Sequence, residues 1–171
     1  MEKNNIVSKN NKTYRKDASQ FFIAGELCRR SLIAVITLGN CPNTDILCSN
    51  VEATKFVHIQ VKTFIPGSKT CSVGIKAEIN YGSNFFWILG GIPKPKQNSN
   101  FEYYIIPSSE MAQNVSTANK AWLKAPGKKG QKHNDSNVRT VHIPPYKNFI
   151  SWDIAEYKNR WDLIEKTLKA Q

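Results

Sequence analysis

No stretch of the chain approaches the roughly 20 consecutive apolar residues that a helix needs to cross a bilayer. The most apolar runs, Leu32–Leu38 and Phe85–Gly91, have the length of strands, so no membrane partner is expected. The segment MEKNNIVSKNNKTYRK at the start is polar and basic and lacks the apolar centre of a secretory signal. The expectation is a cytoplasmic protein. Cysteine is sparse and scattered: Cys28, Cys41, Cys48 and Cys71 include no close pair of the kind that opens a zinc finger or ribbon. They read as reduced, small apolar side chains. His58, His133 and His142 stand far apart without an HExxH pair, which leaves histidine-based metal chemistry without a basis. Phosphate loops of the GxGxxG and GxxxxGK[ST] types are missing, as is a GxSxG elbow. Acidic residues are the last shortage, with 13 Asp and Glu against 24 Lys and Arg and a net charge of +11. A field of that sign attracts polyanions and gains from counterion release, which makes nucleic acid the first partner to consider.

What is present suits one compact domain. The 171 residues are 40% hydrophobic and 11% aromatic, enough for a single core and too little for two well-cored domains. Residues 1–16 show no periodicity and read as a flexible basic arm, with residues 17–171 as the domain. Asp17 and Gln20 have capping-box spacing, after which Phe21, Ala24, Leu27, Cys28 and Ser31 recur at helical intervals. Strands are expected at 32–38, 44–49, 55–63, 84–92, 101–107 and 138–143, and a helix from Ser108 or Ser109 to about Trp122. The run KFVHIQVKT at 55–63 alternates most clearly, with Val57, Ile59 and Val61 on one side. Ile154, Tyr157, Trp161, Ile164 and Leu168 lay an apolar stripe along a final helix. This order fits an α/β domain, a mixed central sheet flanked by helices.

The chemistry gathers around that strand. Gln60 and Lys62 are two residues apart in an extended segment and therefore point to one side. Asp45, on the neighbouring strand, can face Gln60 if the two strands pair. A carboxylate and an amide oxygen suit a hard divalent cation, while an ammonium group beside them can assist a nucleophile or stabilise charge on a phosphorane. Glu26 on the first helix is a second candidate carboxylate. Taken singly, each has an ordinary role: Asp45 follows a turn, Gln60 is a solvated strand residue, Lys62 guards an edge, and Glu26 lies on a helix surface.

Their order changes that balance. GEL at 25–27, TDIL at 44–47 and HIQVKT at 58–63 resemble, in sequence, the motifs of the PD-(D/E)XK, or restriction-endonuclease-like, phosphodiesterase superfamily. The resemblance covers roughly residues 18–65. It implies a restriction-endonuclease-like core in which Val57, Ile59 and Val61 pack on a helix. It also implies one or two magnesium (or manganese) ions held by Asp45, Gln60, the Val61 main-chain carbonyl and Glu26, with Lys62 serving the nucleophile. Gln60 departs from the usual acid, as in a branch that includes some modification-dependent restriction enzymes, and Thr44 stands where the superfamily name has Pro.

The expected function is thus a metal-dependent nuclease acting on DNA through a metal-activated water. Lys124, Lys128, Lys129, Lys132 and Arg139, around a Gly-containing loop, are candidates for phosphate contacts, as are Lys3, Lys9, Lys12, Arg15 and Lys16 in the arm. Trp122, Trp152 and Trp161 are assigned to packing. Two rival classes stay open, a nucleic-acid-binding module of the same fold without catalysis and a protein-interaction subunit with a basic surface. A homodimer is also open, since cutting two strands favours a symmetric pair.

Overall fold

The structure is a computed structural model describing residues 2–38, 41–148 and 150–169, with side chains for residues 13–127 and 129–169 within those ranges. The Gly39-Asn40 turn, the side chains of Lys3, Lys9 and Lys12, and that of Lys128 lie outside the described residues.

A long helix, α1 (Glu2–Arg29), leads into β1 (Ile33–Ile36), β2 (Ile46–Ser49) and β3 (Phe56–Phe64). These three form an antiparallel meander in which Ile36 faces Ile46 and Ile46 faces Ile59. The chain then passes through β4 (Thr70–Ser72) and a 3-10 turn at Ile75–Glu78 before entering β5 (Phe85–Gly91), which pairs with β3 in parallel. Parallel neighbours require a crossover connection, and β4 with the turn supplies it in place of a longer helix. β6 (Glu102–Pro107) pairs antiparallel with β5 and completes a five-stranded mixed sheet of order β1-β2-β3-β5-β6. After α2 (Ser108–Lys124), β7 (Thr140–His142) joins β4 in a separate two-stranded ribbon, and α3 (Asp162–Lys169) ends the fold.

The sheet is apolar on both faces. Val57, Ile59 and Val61 meet Ile23, Ala24 and Leu27 of α1 together with Trp161, Ile164 and Leu168. On the opposite face Trp87, Leu89 and Ile106 pack against Met111 and Val115 of α2 and against Cys71 and Val141 of the ribbon. β5 is buried along its whole length, as expected for a strand with neighbours on both edges and cover on both faces.

Two expectations are corrected. Residues 2–16 have helical backbone and continue into α1, so Asp17 is a helix-interior residue and not a cap. The C-terminal stripe is not one helix: Ile154 and Tyr157 occupy a 3-10 turn in the core beside α2, whereas Trp161, Ile164 and Leu168 belong to the core beside α1. The chain has to pass around the β6 edge between these two cores. Lys158 forms a bridge to Tyr104, the Asn159 N–H donates to the Tyr103 carbonyl at 2.8 Å, and Asn159 takes φ +54°. A continuous helix would bury both halves of the stripe on one side only. Among the described residues no helix is long and apolar enough to cross a membrane.

α1 lies close to the sheet where β5 has no side chains. A Cβ on Gly90 would stand 2.6 Å from the Ser19 hydroxyl of α1, and one on Gly91 would stand 2.7 Å from the Phe64 ring. Gly91→Ala should destabilise the fold by about 1–3 kcal/mol. Urea unfolding checks this, and the cost should shrink when Gly91→Ala is made in a Phe64→Leu background that frees the ring's space.

Candidate active site

The difference in length between β2 and β3 creates the site. β2 pairs only with Phe56–Ile59, so Gln60–Phe64 run past its end with one backbone edge uncovered. Asp45, immediately before β2, lies at this step, its N–H donating to the Ile59 carbonyl at 2.9 Å and its carbonyl accepting from Thr37 N–H at 3.0 Å. With its backbone fixed by both neighbouring strands, its carboxylate reaches into the gap. One oxygen accepts the Val61 N–H at 2.7 Å and a donor N–H of the Gln60 amide, and the other accepts from Gln20 Nε2 of α1 at 3.0 Å. Val61 is two residues beyond Ile59, so its carbonyl opens to the same edge.

Lys62 completes the group. Its ammonium lies 5.8 Å from the centre of the Trp87 ring, on the strand face shared with Gln60. Partial burial pushes its pKa below the ordinary lysine range; attraction to Asp45 opposes this, and repulsion from Lys16 and Lys76 adds to it. Lys16 of α1 and Lys76 of the crossover therefore share the neighbourhood. Lys76 is also held to Asn43 at 2.9 Å, just before Asp45.

Asp45, Gln60, Val61 and Lys62 are thus brought together; Glu26 is not. It sits about 9 Å further along α1 than Gln20, with its carboxylate 2.6 Å from Arg29 and 3.4 Å from Arg30. The Arg29 hydrogen bond holds its pKa below the usual range. Arg30 also reaches Glu165 at 3.4 Å, which ties Glu26 to the α3 end of the domain. The side chain that α1 delivers to Asp45 is Gln20. Its capping-box spacing concealed this role, because the capping reading assumed that a helix begins at Asp17, and the signal that could have found it lies in its position on the buried side of a longer helix.

Arg139 is also corrected as a phosphate contact. It is only 5% exposed, its guanidinium pairs with Glu78 at 2.5 Å and Asp135 at 3.1 Å, and it donates to the Ser136 and Val138 carbonyls. It organises the loop before β7 and has no surface to offer a ligand. Lys124, Lys129 and Lys132 are exposed, the loop is braced by the Trp122–His133 stack at 3.9 Å between ring centres, and the Lys128 side chain is outside the described residues.

The donor set suits a hard cation in kind. Among the described residues no three His, Cys, Asp or Glu side chains converge, and the oxygens at the gap come from one carboxylate, two amides and a main-chain carbonyl. Magnesium and manganese take such oxygens and retain several waters. The Gln60 amide turns its nitrogen to Asp45, and a half-turn of the terminal amide exchanges that nitrogen for oxygen. Compared with protein-family models, curated proteins and solved structures, the chain matches none of them.

Two measurements follow. A lysine whose folded pKa is depressed destabilises the fold while charged, and that penalty fades as pH rises from the folded pKa towards the ordinary value of 10.5. Lys62→Met should therefore raise Tm by a few degrees at pH 7, with the gain declining as pH approaches 10.5 in a thermal-melt series. Arg139→Ala leaves Glu78 without its guanidinium partner and should cost about 3 kcal/mol in urea unfolding.

Proposed function

We propose that the chain is a metal-dependent phosphodiesterase of the restriction-endonuclease-like type, acting on DNA. The observation that carries this reading is the convergence of Asp45, Gln60, the Val61 backbone and Lys62 at the overhang of β3. In sequence order, a helix, a carboxylate at a strand start and a Gln-x-Lys pair on the next strand resemble that superfamily; here the helix contributes Gln20 and not Glu26.

Asp45, the Gln60 amide oxygen and the Val61 carbonyl would hold the divalent ion. When bound, magnesium or manganese would make a neighbouring water more acidic than bulk water and supply positive charge for the phosphoryl oxygens. Lys62 acts beside it. Its ammonium orients the attacking water and stabilises the negative charge that grows on the phosphorane. The depressed pKa brings its proton closer to transferable at working pH. Lys16 and Lys76 add charge that draws the phosphodiester towards Asp45. Gln20 fixes the other carboxylate oxygen and so sets the direction in which Asp45 presents its lone pairs.

One observation favours the second reading, a binding module of the same fold without catalysis. Three donors already satisfy the Asp45 carboxylate, and neither glutamine brings charge to a cation. The readings part on one experiment. A plasmid incubated with the full chain and manganese should be cleaved, and Lys62→Ala should lower the rate by at least about a hundredfold while manganese affinity, measured by isothermal titration, changes little. Gln60→Glu adds the missing charge and should tighten manganese by about tenfold. Salt-sensitive binding with no cleavage in manganese would favour the second reading, and equal manganese affinity in wild type and Gln60→Glu would remove Gln60 from the ligands.

A further inference from the structure

A groove of about 980 Å³ lies between the flank of α1 and the loop joining β5 to β6. Tyr14 and Phe22 stand on one wall, Pro93, Pro95 and Phe101 on the other. The aromatic side chains are unusually open, with Tyr14 66%, Phe22 46% and Phe101 44% exposed. Phe22 and Phe101 meet edge to face at 4.7 Å, which fixes two ring planes at one end of the groove while the Tyr14 ring is free at the other.

The groove adjoins the candidate active site. Ile65 lines it, about 10 Å along the chain from Lys62. β3 and β5 run in parallel, and both deliver their C-terminal ends here, through Ile65 and Ile92. The same helix serves both places, since Gln20 turns to Asp45 while Tyr14 and Phe22 turn to the groove.

Its charge is of one sign on both walls. Arg15 lines the α1 wall beside Lys16, and Lys94 lines the loop wall, in a segment from Ile92 to Phe101 that contains two lysines and no acid. Among the described residues Arg15, Lys94 and Lys96 enter no ion pair. Asp17 and Glu26 are the nearby acids on α1, Glu26 being paired with Arg29 and Arg30, and Glu102 beyond the loop is paired with Lys158. Open aromatic faces between an unpaired cation on each wall match the chemistry of a single strand, whose bases stack while its phosphates are neutralised. A duplex offers no unstacked base to such a groove.

We propose that this groove binds single-stranded DNA, with bases against Tyr14, Phe22 and Phe101 and phosphates along Arg15 and Lys94. It rests on the DNA reading of the active site and narrows it: the substrate carries a single-stranded segment next to the phosphodiester held at Asp45.

The test is binding of fluorescein-labelled oligothymidine to the full chain, followed by anisotropy in EDTA so that cleavage plays no part. Single-stranded DNA should bind at least about tenfold more tightly than a duplex of equal length. Tyr14→Ala and Phe101→Ala should each weaken it about tenfold, Tyr14→Phe should restore it, and duplex affinity should be unmoved. Lys94→Gln, an exposed change that spares the fold, should lower the salt slope by about 0.7. Unchanged single-strand affinity in the aromatic and Lys94 variants overturns the proposal. So does an oligouridine RNA bound tenfold more tightly than the DNA. A sedimenting dimer that Tyr14→Ala dissociates while DNA affinity stays intact would assign the groove to a second copy instead. Groove-dependent binding without cleavage in manganese would overturn the phosphodiesterase and leave the groove standing.

Discussion

The carboxylate of Asp45 is where the architecture and the chemistry meet. It caps the Val61 N–H, which β3 exposes because β2 ends early, and it takes a hydrogen bond from Gln60 on the same strand and another from Gln20 on α1. An uncapped backbone donor at a partly buried step would cost about 1–3 kcal/mol. The carboxylate satisfies it while fixing the relation of the helix to the sheet at that end. On the proposed reading the cation ligand is therefore also a structural cap, and the two roles use the same lone pairs.

That dual use depends on a sheet covered on both faces. α1 can present Gln20 only because Ile23, Ala24 and Leu27 seat the following turns on Val57, Ile59 and Val61, and because Gly90 lets Ser19 come close over β5. The opposite face is built by α2, the β4–β7 ribbon and the turn holding Ile154 and Tyr157. The excursion around β6 at Lys158 and Asn159 lets one C-terminal segment contribute to both. Arg139 extends the logic into the loop before β7: a buried cation with several partners holds that loop against the crossover.

What could be read in advance follows the range of the forces involved. Strands β2, β3, β5 and β6 were legible because alternation and strong apolar runs are local signals, and the pairing of Asp45 with Gln60 followed from two adjacent strands of opposite direction. Lys62 shared that strand and came with them. Glu26 was misplaced because a helical residue's target depends on the roll and length of the helix, and α1 starts well before Asp17. Arg139 looked like one more cation in a basic loop; its partner Glu78 is distant in sequence and became a neighbour only through the crossover. The split of the last apolar stripe was hidden for a similar reason, since periodicity records that residues are buried but not in which core.

The neutral side chain at position 60 then has a physical setting of its own. An anion there would stand beside Asp45 and repel it, so a second carboxylate is easiest to sustain with a cation between them or with one group protonated. With Gln60 the strand holds Asp45 by hydrogen bonds and needs no counter-ion for the fold to close. Lys16, Lys62 and Lys76 are then left around a single carboxylate, with an excess of positive charge. On the proposed reading, a phosphodiester entering that field supplies the missing negative charge itself. A neutral side chain at position 60 then weakens the hold on a cation and strengthens the pull on a phosphodiester.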